Sequence, residues 1–422
     1  MTRGALAVRL GSNPVGTLAE DRGRMRFTYT TEALAAYGLG RPLLSVSLPT
    51  GARRFTDAEC RPFFDGLLPE GEARRIIAYD SGLIETDAFG LLTAIGRECA
   101  GAVTVVEAKS TPEDPPNTRR ARPVSPEELD TRVRQLRVHP LGIDADVRVS
   151  LTGWQEKLLV TDLGDQRWGL PVVGSASTHI IKPANPLLPE LIVGEALCLR
   201  AATIAGVAAA HASLAVLGGR RAIVVERFDR RVTAGGVIHR VHQEDMCQAT
   251  ATPNGPTGRK YEEHGGPSLL RIAGILKRWG LRADLIELVR QVTCNVLFGN
   301  ADAHAMNTSV LLPTDGRIRL APAYDVAPTL LVPGVSTTAG MFVNGVRDLS
   351  AVRLSDVVAE AVGWGVPADI ATATVGDLAS AMPDAIRTAI AEFDTDGPFP
   401  RALLARVEAV ARTQPAASAH DP

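Results

Sequence analysis

The spacing of apolar residues changes along this chain, and that change limits the fold more than any other feature. In the first half, apolar residues alternate in short runs, such as Ala5 to Leu10, Met25 to Tyr29 and Leu43 to Leu48, which is the spacing of β-strands. From Ser268 onward they recur every three or four residues, which is the spacing of amphipathic helices. A strand-rich part followed by a helix-rich part predicts an α+β fold.

A segment rich in proline and charge divides the chain. Residues 109–124 contain four prolines and almost no large apolar residue. Such a segment cannot bury enough apolar surface to pack, so we predict a linker there. The predicted organisation is an N-terminal α/β subdomain, the linker, a strand-rich lobe, a helical lobe and a disordered tail, with these bounds: 1–108, 109–124, 125–230, 231–413 and 414–422.

Composition and charge exclude several classes of protein. The 422 residues carry a formal net charge of −2, which argues against strong autonomous binding to nucleic acid. No apolar run reaches the ~20 residues of a membrane span, and Met1 to Gly11 lacks the apolar core of a signal peptide. The scattered cysteines have no C-x-x-C spacing, so neither a zinc site nor a disulfide framework is expected: Cys60, Cys99, Cys198, Cys247 and Cys294. We therefore expect a soluble protein of the reducing cytoplasm.

The loop Gly299 to Asn307 is the most informative segment of the sequence. It follows a predicted helix, Leu281 to Phe298, and precedes two predicted strands that flank a turn containing Asp315-Gly316. The open ends of such a hairpin lie side by side. Asp302 and Asn307 stand at one end and Asp325 follows the other, so the hairpin should bring two carboxylates and one amide together.

Phosphoryl transfer needs this set of groups. One carboxylate orients or deprotonates the attacking hydroxyl, while a second carboxylate and an amide oxygen hold Mg²⁺ against the nucleotide phosphates. An Asp-x₄-Asn loop followed by another Asp is also the order found in kinases. Taken singly, Asp302 and Asn307 could merely cap turns, and a histidine such as His304 more often braces a loop than contacts a substrate.

Three upstream segments fit a nucleotide site less specifically. The turn from Ser150 to Lys157 could offer backbone N–H groups to phosphates, although it has one glycine. Lys182 closes an apolar strand, as the phosphate-binding lysine of kinases does, with Glu195 as a candidate ion-pair partner. Glu226 to Phe228 leads toward the helical part, where an adenine could meet backbone groups. The alternatives are an ordinary strand connection, a solvated lysine and a plain linker.

Together these segments resemble the HipA family of toxin kinases. The resemblance is carried by "SLTGWQEKLL", "THIIKP", "VERFDR", "HQEDMCQA", "KYEEHGGP", "GNADAHAMNTSVLL" and "LAPAYDV". The N-terminal segments "PVGTL" and "LLPEGEARR" are also similar to the family. The resemblance spans nearly the whole chain and implies a two-lobe, protein-kinase-like fold with an added N-terminal α/β subdomain.

The resemblance implies a role for each matching residue. Asp302 would be the catalytic aspartate, Asn307 and Asp325 the Mg²⁺ ligands, and Ser150 the autophosphorylation site. The implied ATP-binding residues are Thr152, Gly153, Trp154, Gln155, Glu156, Lys157, Lys182, Glu226, Arg227, Phe228, His304, Asn307, Tyr324 and Asp325. Trp154 departs from the family pattern, because it is bulky where a small residue is expected.

The resemblance also implies partners. We expect a HipB-like helix-turn-helix antitoxin that holds the toxin, contact with operator DNA mainly through that antitoxin, and a protein substrate in translation such as an aminoacyl-tRNA synthetase. One alternative is a small-molecule kinase similar to the aminoglycoside phosphotransferases, which the Ser150 loop and the N-terminal part fit poorly. Another is a catalytically idle module that tunes a DNA-binding partner, against which the intact Asp302, Asn307 and Asp325 argue.

Overall fold

The computed structural model describes residues 4–108, 121–141, 155–165, 167–172, 175–253, 258–313 and 316–413. Two compact units divide the chain. The first comprises Met1–Pro183, Val216–Lys260 and Val310–Arg317, and the second comprises Ala184–Ala215, Tyr261–Ser309 and Ile318–Pro422. The finer division predicted from the sequence stays a prediction, and its tail, 414–422, lies outside the described residues.

The strands of the described residues are short and concentrated before residue 250. They are β1 Leu6–Leu10, β2 Asn13–Asp21, β3 Arg24–Tyr29, β4 Val103–Glu107, β5 Ala121–Pro123, β6 Leu158–Asp162, β7 Trp168–Pro171, β8 His179–Pro183, β9 Ala212–Leu217, β10 Arg220–Glu226, β11 Arg230–Val232, β12 Ile238–Arg240, β13 Gln243–Asp245, β14 Ser309–Leu311, β15 Arg319–Leu320, β16 Thr338–Val343 and β17 Val346–Asp348.

The longest described helices come late in the chain. The helices are α1 Thr31–Tyr37, α2 Asp57–Asp65, α3 Gly71–Asp80, α4 Ala88–Ile95, α5 Pro126–Gln135, α6 Leu191–Ile204, α7 Met246–Ala249, α8 Leu269–Trp279, α9 Arg282–Phe298, α10 Leu354–Gly363, α11 Ala368–Glu392 and α12 Pro398–Ala411. Strands dominate early and helices late, so the predicted mixture of sheet and helix is confirmed.

The two larger sheets of the first unit, among the described residues, are antiparallel. The N-terminal sheet has the order β3-β2-β1-β4, and buried aromatic rings from β3 and α2 pack beside it, with the Phe27 and Phe64 centroids 5.5 Å apart. In the second sheet, β5-β7-β6-β8-β10 are neighbours in that order. Strand β8 is the predicted strand that carries Lys182, and it lies between β6 and β10.

Helices surround α9 in the second unit. It packs against α8, α10, α11 and α12, and most of its residues from Leu285 to Phe298 are buried. The Asp284 side chain caps its start, accepting from the backbone N–H of Leu281 at 2.8 Å. A helix held on several sides gives the loop that follows it a rigid starting point.

One local prediction was wrong, and one predicted segment contains a short strand. Leu43 to Leu48 is not a strand, because the backbone N–H of Val46 bonds the carboxylate of Glu244 at 2.7 Å instead of a neighbouring strand. The end of the predicted linker is strand β5, since Ala121 to Pro123 pair with β7. Pro123 tolerates this position because an edge strand needs no hydrogen bond from every residue.

Gly218-Gly219 lies between two apolar runs, Leu214 to Leu217 and Ala222 to Val225, which predicts a hairpin, and the structure confirms it. Both glycines have positive φ, 60° and 76°, and they join β9 to β10. A two-residue turn with positive φ at both positions matches the twist of the flanking strands. Among the described residues, no helix is long and apolar enough to cross a membrane.

Candidate active site

The predicted catalytic loop begins where α9 ends, at Gly299. Gly299 is left-handed, with φ 78°, and its N–H bonds the carbonyl of Asn295 at 3.0 Å. The Arg406 side chain of α12 covers this turn and donates from Nη2 to the carbonyl of Val296 at 2.9 Å. A Cβ at position 299 would lie 2.4 Å from Arg406 Nε. Glycine is therefore favoured by the left-handed conformation, and any larger residue would also displace the Arg406 side chain.

The backbone of the loop is fixed from two further elements of the second unit. The N–H of Ala301 bonds Thr329 Oγ1 at 2.8 Å, and the carbonyl of Ala301 accepts from the N–H of Gly340 in β16 at 2.8 Å. A Cβ on Gly340 would come within 2.6 Å of the backbone of Ala303 and His304. The strand can approach the loop this closely only because residue 340 has no side chain.

Three side chains meet around Asp302. The Asp302 side chain is 51% exposed, so its carboxylate can reach a substrate. The Asn307 Nδ2 donates to the carbonyl of Asp302 at 3.0 Å, and Tyr261 Oη donates to Asp302 Oδ1 at 2.6 Å. His304 is buried, with Nε2 3.8 Å from Asp302 Oδ1. The placement of His304 fits loop bracing better than direct contact with a nucleotide.

Tyr324 links the loop to Asp325. The Tyr324 hydroxyl lies 2.7 Å from the carbonyl of Met306 and 2.6 Å from Ser309 Oγ. The N–H of Ala321 also bonds the carbonyl of Ser309, as expected for the two arms of the predicted hairpin. The predicted turn residue Asp315 lies outside the described residues. These bonds attach the segment leading to Asp325 to the segment following Asn307, so the grouping of Asp302, Asn307 and Asp325 has a structural basis.

Asp325 has an unusual backbone conformation. Its φ is 57°, in the left-handed region that residues other than glycine and asparagine seldom adopt. Such strain persists where the surrounding structure enforces it, often at functional sites. Here the flanking residues are fixed, since Tyr324 bonds Met306 and the carbonyl of Ala323 accepts from the N–H of Ala210.

The chemistry of Asn307 and Asp325 suits a magnesium ion. The Asn307 amide nitrogen is turned toward the Asp302 carbonyl, which leaves the amide oxygen as the end that can approach a cation. Asp325 supplies a carboxylate oxygen. Among the described residues, no group of three or more His, Cys, Asp or Glu side chains could hold a metal. Mg²⁺ does not need one, since it commonly uses one or two protein oxygens plus phosphates and water.

The first unit contains the remaining predicted residues. Lys182 lies in β8, opposite Ile223 of β10, and its side chain is buried, which disfavours the alternative of a solvated lysine. Lys157 is buried too, whereas Glu156 forms ion pairs with Arg137 and Arg220. Ser150, Thr152, Gly153 and Trp154 lie outside the described residues. Glu195, in the second unit, is buried in α6, and its pairing with Lys182 stays a prediction.

Arg227 lies where a buried charge cluster holds its side chain. Its guanidinium bonds Asp229 and Glu98, at 2.8 and 3.1 Å, and Ser177 Oγ. Burial alone would raise the pKa of Asp229, but Arg227 and Arg230 hold that pKa well below its ordinary value. Only the backbone of residue 227 could therefore face an adenine, and its N–H already bonds the carbonyl of Thr178.

The two residues on either side of Arg227 are more exposed to solvent than Arg227 itself. Glu226 is exposed at the end of β10, and Phe228 is half-buried.

The sequence interpretation missed the residues that support the loop: Tyr261, Thr329, Gly340 and Arg406. Tyr261 stands in "KYEEHGGP", which was singled out without a role for the tyrosine. The other three lie about 30 to 110 residues from their partners along the chain, and no local spacing signals such contacts.

Comparison with known families gives matches to both parts of the chain. A family model described as HipA N-terminal domain matches residues 6–106, and one described as HipA-like C-terminal domain matches residues 149–386. The second match alone covers more than half of the chain. Both agree with the segments on which the sequence resemblance rested.

Individual proteins are similar over most of their length. The chain is 35% identical over 370 residues to "Putative kinase Y4mE" of Sinorhizobium fredii, covering 86% of this chain and 85% of that protein. It is 27% identical over 399 residues to "Serine/threonine-protein kinase toxin HipA" of Shewanella oneidensis, covering 91% and 89%. A Shewanella oneidensis structure of HipA, HipB and operator DNA matches with TM-score 0.81 at 24% identity, covering 96% and 95%, which shows a shared fold.

Proposed function

Because this chain belongs to the HipA family, we propose that it is an ATP-dependent kinase that transfers the γ-phosphate of ATP to a serine or threonine of a protein. The observation that carries the proposal is the group around the loop after α9. It combines an exposed Asp302 carboxylate, an Asn307 amide fixed to the Asp302 carbonyl, and a strained Asp325 tied to the same loop through Tyr324.

Each residue would have a distinct part in the reaction. Asp302 would orient the acceptor hydroxyl and accept its proton as the oxygen attacks the γ-phosphorus and ADP leaves. Asn307 and Asp325 would hold Mg²⁺, which neutralises charge on the phosphates when bound. Lys182 and residues 152–157 would bind the phosphates, and the Glu226–Phe228 backbone would face the adenine. The buried position of Lys182 supports a specific role for its ammonium group.

We further propose that the chain acts as a toxin in the cytoplasm and is neutralised by a HipB-like antitoxin, through which it reaches operator DNA. The support is the similarity to a HipA solved together with HipB and operator DNA. The protein substrate would belong to translation, with aminoacyl-tRNA synthetases as first candidates. Autophosphorylation at Ser150 completes the proposal and rests on the sequence resemblance.

Incubation of the purified chain with labelled ATP, Mg²⁺ and a cell lysate tests the kinase activity. We expect labelled protein with the native chain and none above background with Asp302→Asn, because loss of the general base costs ~10²-fold or more. Mass spectrometry of the labelled bands identifies the acceptor residues. Label on a small molecule alone would favour the phosphotransferase alternative, and equal labelling by both proteins would refute the role of Asp302.

A further inference from the structure

A hydrogen bond joins Tyr261 to the proposed catalytic carboxylate. Tyr261 Oη lies 2.6 Å from Asp302 Oδ1, a short distance that is typical of a hydroxyl donating to a charged oxygen. The two residues are 41 positions apart, so the contact is tertiary and not a turn. The Tyr261 ring also meets the His304 ring edge to face, with centroids 5.0 Å apart and planes at 90°.

The backbone holds Tyr261 in place. Its carbonyl accepts from the N–H groups of His264 and Gly266, at 3.1 and 2.9 Å, closing a short 3₁₀ turn. The next residue, Glu262, accepts through its carboxylate from the N–H of Phe342 in β16 at 2.7 Å. Strand β16 also bonds the catalytic loop through Gly340. The residues next to Tyr261 and Asp302, Glu262 and Ala301, are thus bonded to the same strand.

We propose that Tyr261 is a positioning residue for phosphoryl transfer and acts by holding the Asp302 carboxylate in its reactive orientation. This proposal rests on the proposed kinase function. An aspartate that is half exposed can occupy several side-chain rotamers, and a bond from a fixed hydroxyl selects one of them. Selection matters because phosphoryl transfer depends on alignment of the acceptor hydroxyl with the γ-phosphate.

The same contact could instead belong to a tyrosine that blocks the place of the acceptor hydroxyl. A blocking residue must leave before each reaction. The turn and the Glu262 contact with Phe342 fix the backbone at Tyr261, and rotation of its side chain would lose both the bond to Asp302 and the contact with the His304 ring. This clamping favours positioning, and the two roles predict opposite changes in rate when the hydroxyl is removed.

Tyr261→Phe tests the proposal, because it removes Oη and keeps the ring against His304. We expect kcat to fall by about tenfold or more, since misalignment alone can cost ~10²-fold. The KM for ATP, and the affinity for Mg²⁺–ATP measured by calorimetry, should stay within about twofold, because the variant removes the bond to the Asp302 carboxylate and keeps the ring. The matched control is Tyr79→Phe, because Tyr79 is 83% exposed and belongs to the first unit. It should behave like the native chain.

Every other result contradicts positioning. An unchanged kcat would show that the hydroxyl is dispensable, and a raised kcat would show that Tyr261 blocks the acceptor. If ATP affinity and kcat both fell by a similar factor, the variant would have lost its folded structure more widely. A lowered melting temperature would then accompany the loss. The native chain and Asp302→Asn are assayed alongside. If the native chain is as inactive as Asp302→Asn, the proposed kinase function fails and Tyr261 loses its role with it.

Discussion

Glu98 and Arg230 form an ion pair of 2.8 Å in which each side chain is 1% exposed. Arg227 bonds the same oxygen of Glu98, at 3.1 Å. Burial alone would raise the pKa of Glu98, but three guanidiniums, those of Arg227, Arg230 and Arg240, hold it below its ordinary value. Residues 6–106, which match the N-terminal domain of the HipA family, are thus joined by ion pairs to the segment that follows β10.

Glu98→Gln should destabilise the chain strongly. The amide keeps the shape but removes the charge, leaving Arg227 and Arg230 buried with one carboxylate fewer. Breaking a buried ion pair from one side typically lowers the free energy of unfolding by about 3–5 kcal/mol. Urea denaturation measures the change. The control is Glu392→Gln, which removes an exposed pair with Arg200 and should barely move the midpoint. Equal midpoints for the two variants would contradict a structural role for the cluster.

Glu244 should make stability depend on pH. Burial raises the pKa of Glu244 to about 8, although Ser45 and Val46 donate to its oxygens. The pKa of Glu244 in the folded chain exceeds the ordinary value of 4.5. Its contribution to the free energy of unfolding is therefore fully present below pH 4.5 and is lost as the pH rises through 8. Burial also raises the pKa of Asp245, to about 7, which acts in the same direction.

His242 acts in the opposite direction over a lower range. Burial lowers the pKa of His242 to about 4, so its contribution is lost as pH falls below 6.5. Above pH 6.5 the effect of His242 no longer changes with pH, whereas those of Glu244 and Asp245 still do. The melting temperature should therefore fall between pH 6.5 and 8. In Glu244→Gln that fall should be much smaller. Thermal unfolding by circular dichroism at several pH values checks this, and parallel curves for both proteins would contradict the prediction.

Asp325→Asn should weaken Mg²⁺–ATP binding without changing the fold. Asparagine tolerates left-handed φ, so the backbone at 57° is preserved while the charge is lost. Residues around metals commonly account for ~10- to 100-fold in affinity, and we expect a loss of at least that size. Calorimetric titration measures it. Asp394→Asn is the matched control, since Asp394 also has positive φ, 48°, and lies after α11. Unchanged affinity in Asp325→Asn would remove the metal role.

Gly340→Ala should impair catalysis through the loop backbone. The added Cβ would come within 2.6 Å of Ala303 and His304 backbone atoms, so strand or loop must move. A displacement near 1 Å can cost ~10²-fold in rate, and we expect kcat to drop by about that much. Gly274→Ala in α8 meets no neighbour within 4 Å and should slightly stabilise its helix. Normal kcat in Gly340→Ala would show that the close approach is not needed.

Phosphorylation of Ser150 should turn the kinase off. Ser150 lies outside the described residues and opens the segment proposed to bind ATP phosphates. A phosphate adds roughly −1.5 to −2 charges at neutral pH, which should repel the nucleotide phosphates. Arg148 could stabilise the displaced segment. The test compares ATP affinity and kinase rate in phosphorylated and unmodified protein, with Ser150→Ala as a form that cannot be modified. Equal values in phosphorylated and unmodified protein would refute the switch.

Local patterns predicted the elements that carry the site. Helical spacing was predicted from Ser268 onward, and helix α8 begins at Leu269; the helix before Gly299 begins one residue later than predicted. Amphipathic spacing and a following glycine are local signals, so the sequence alone reveals them. The order Asp302, Asn307, Asp325 is a local signal too, because a short hairpin connects these residues; their joint action in one site stays a prediction.

The longest helix was missed. The sequence interpretation gave no bounds for α11, although it spans 25 residues. Gly376 and Pro383 lie inside it, and both residues ordinarily count against a helix interior. Tertiary packing overrides that preference, since α11 packs against α6, α9, α10 and α12. The hydrogen bond between Tyr261 and Asp302 could not be predicted for a related reason. It joins residues 41 positions apart and depends on tertiary contacts with β16.

Arg406 caps the helix before the catalytic loop from a position 110 residues downstream of Val296. During synthesis at ~5–20 residues per second, roughly 5–20 s separate the two positions. For that interval the nascent chain has made Asp302 but lacks the side chain that covers the turn at Gly299. The turn before Asp302 therefore gains this cover only after α12 has been synthesised and has folded back onto it.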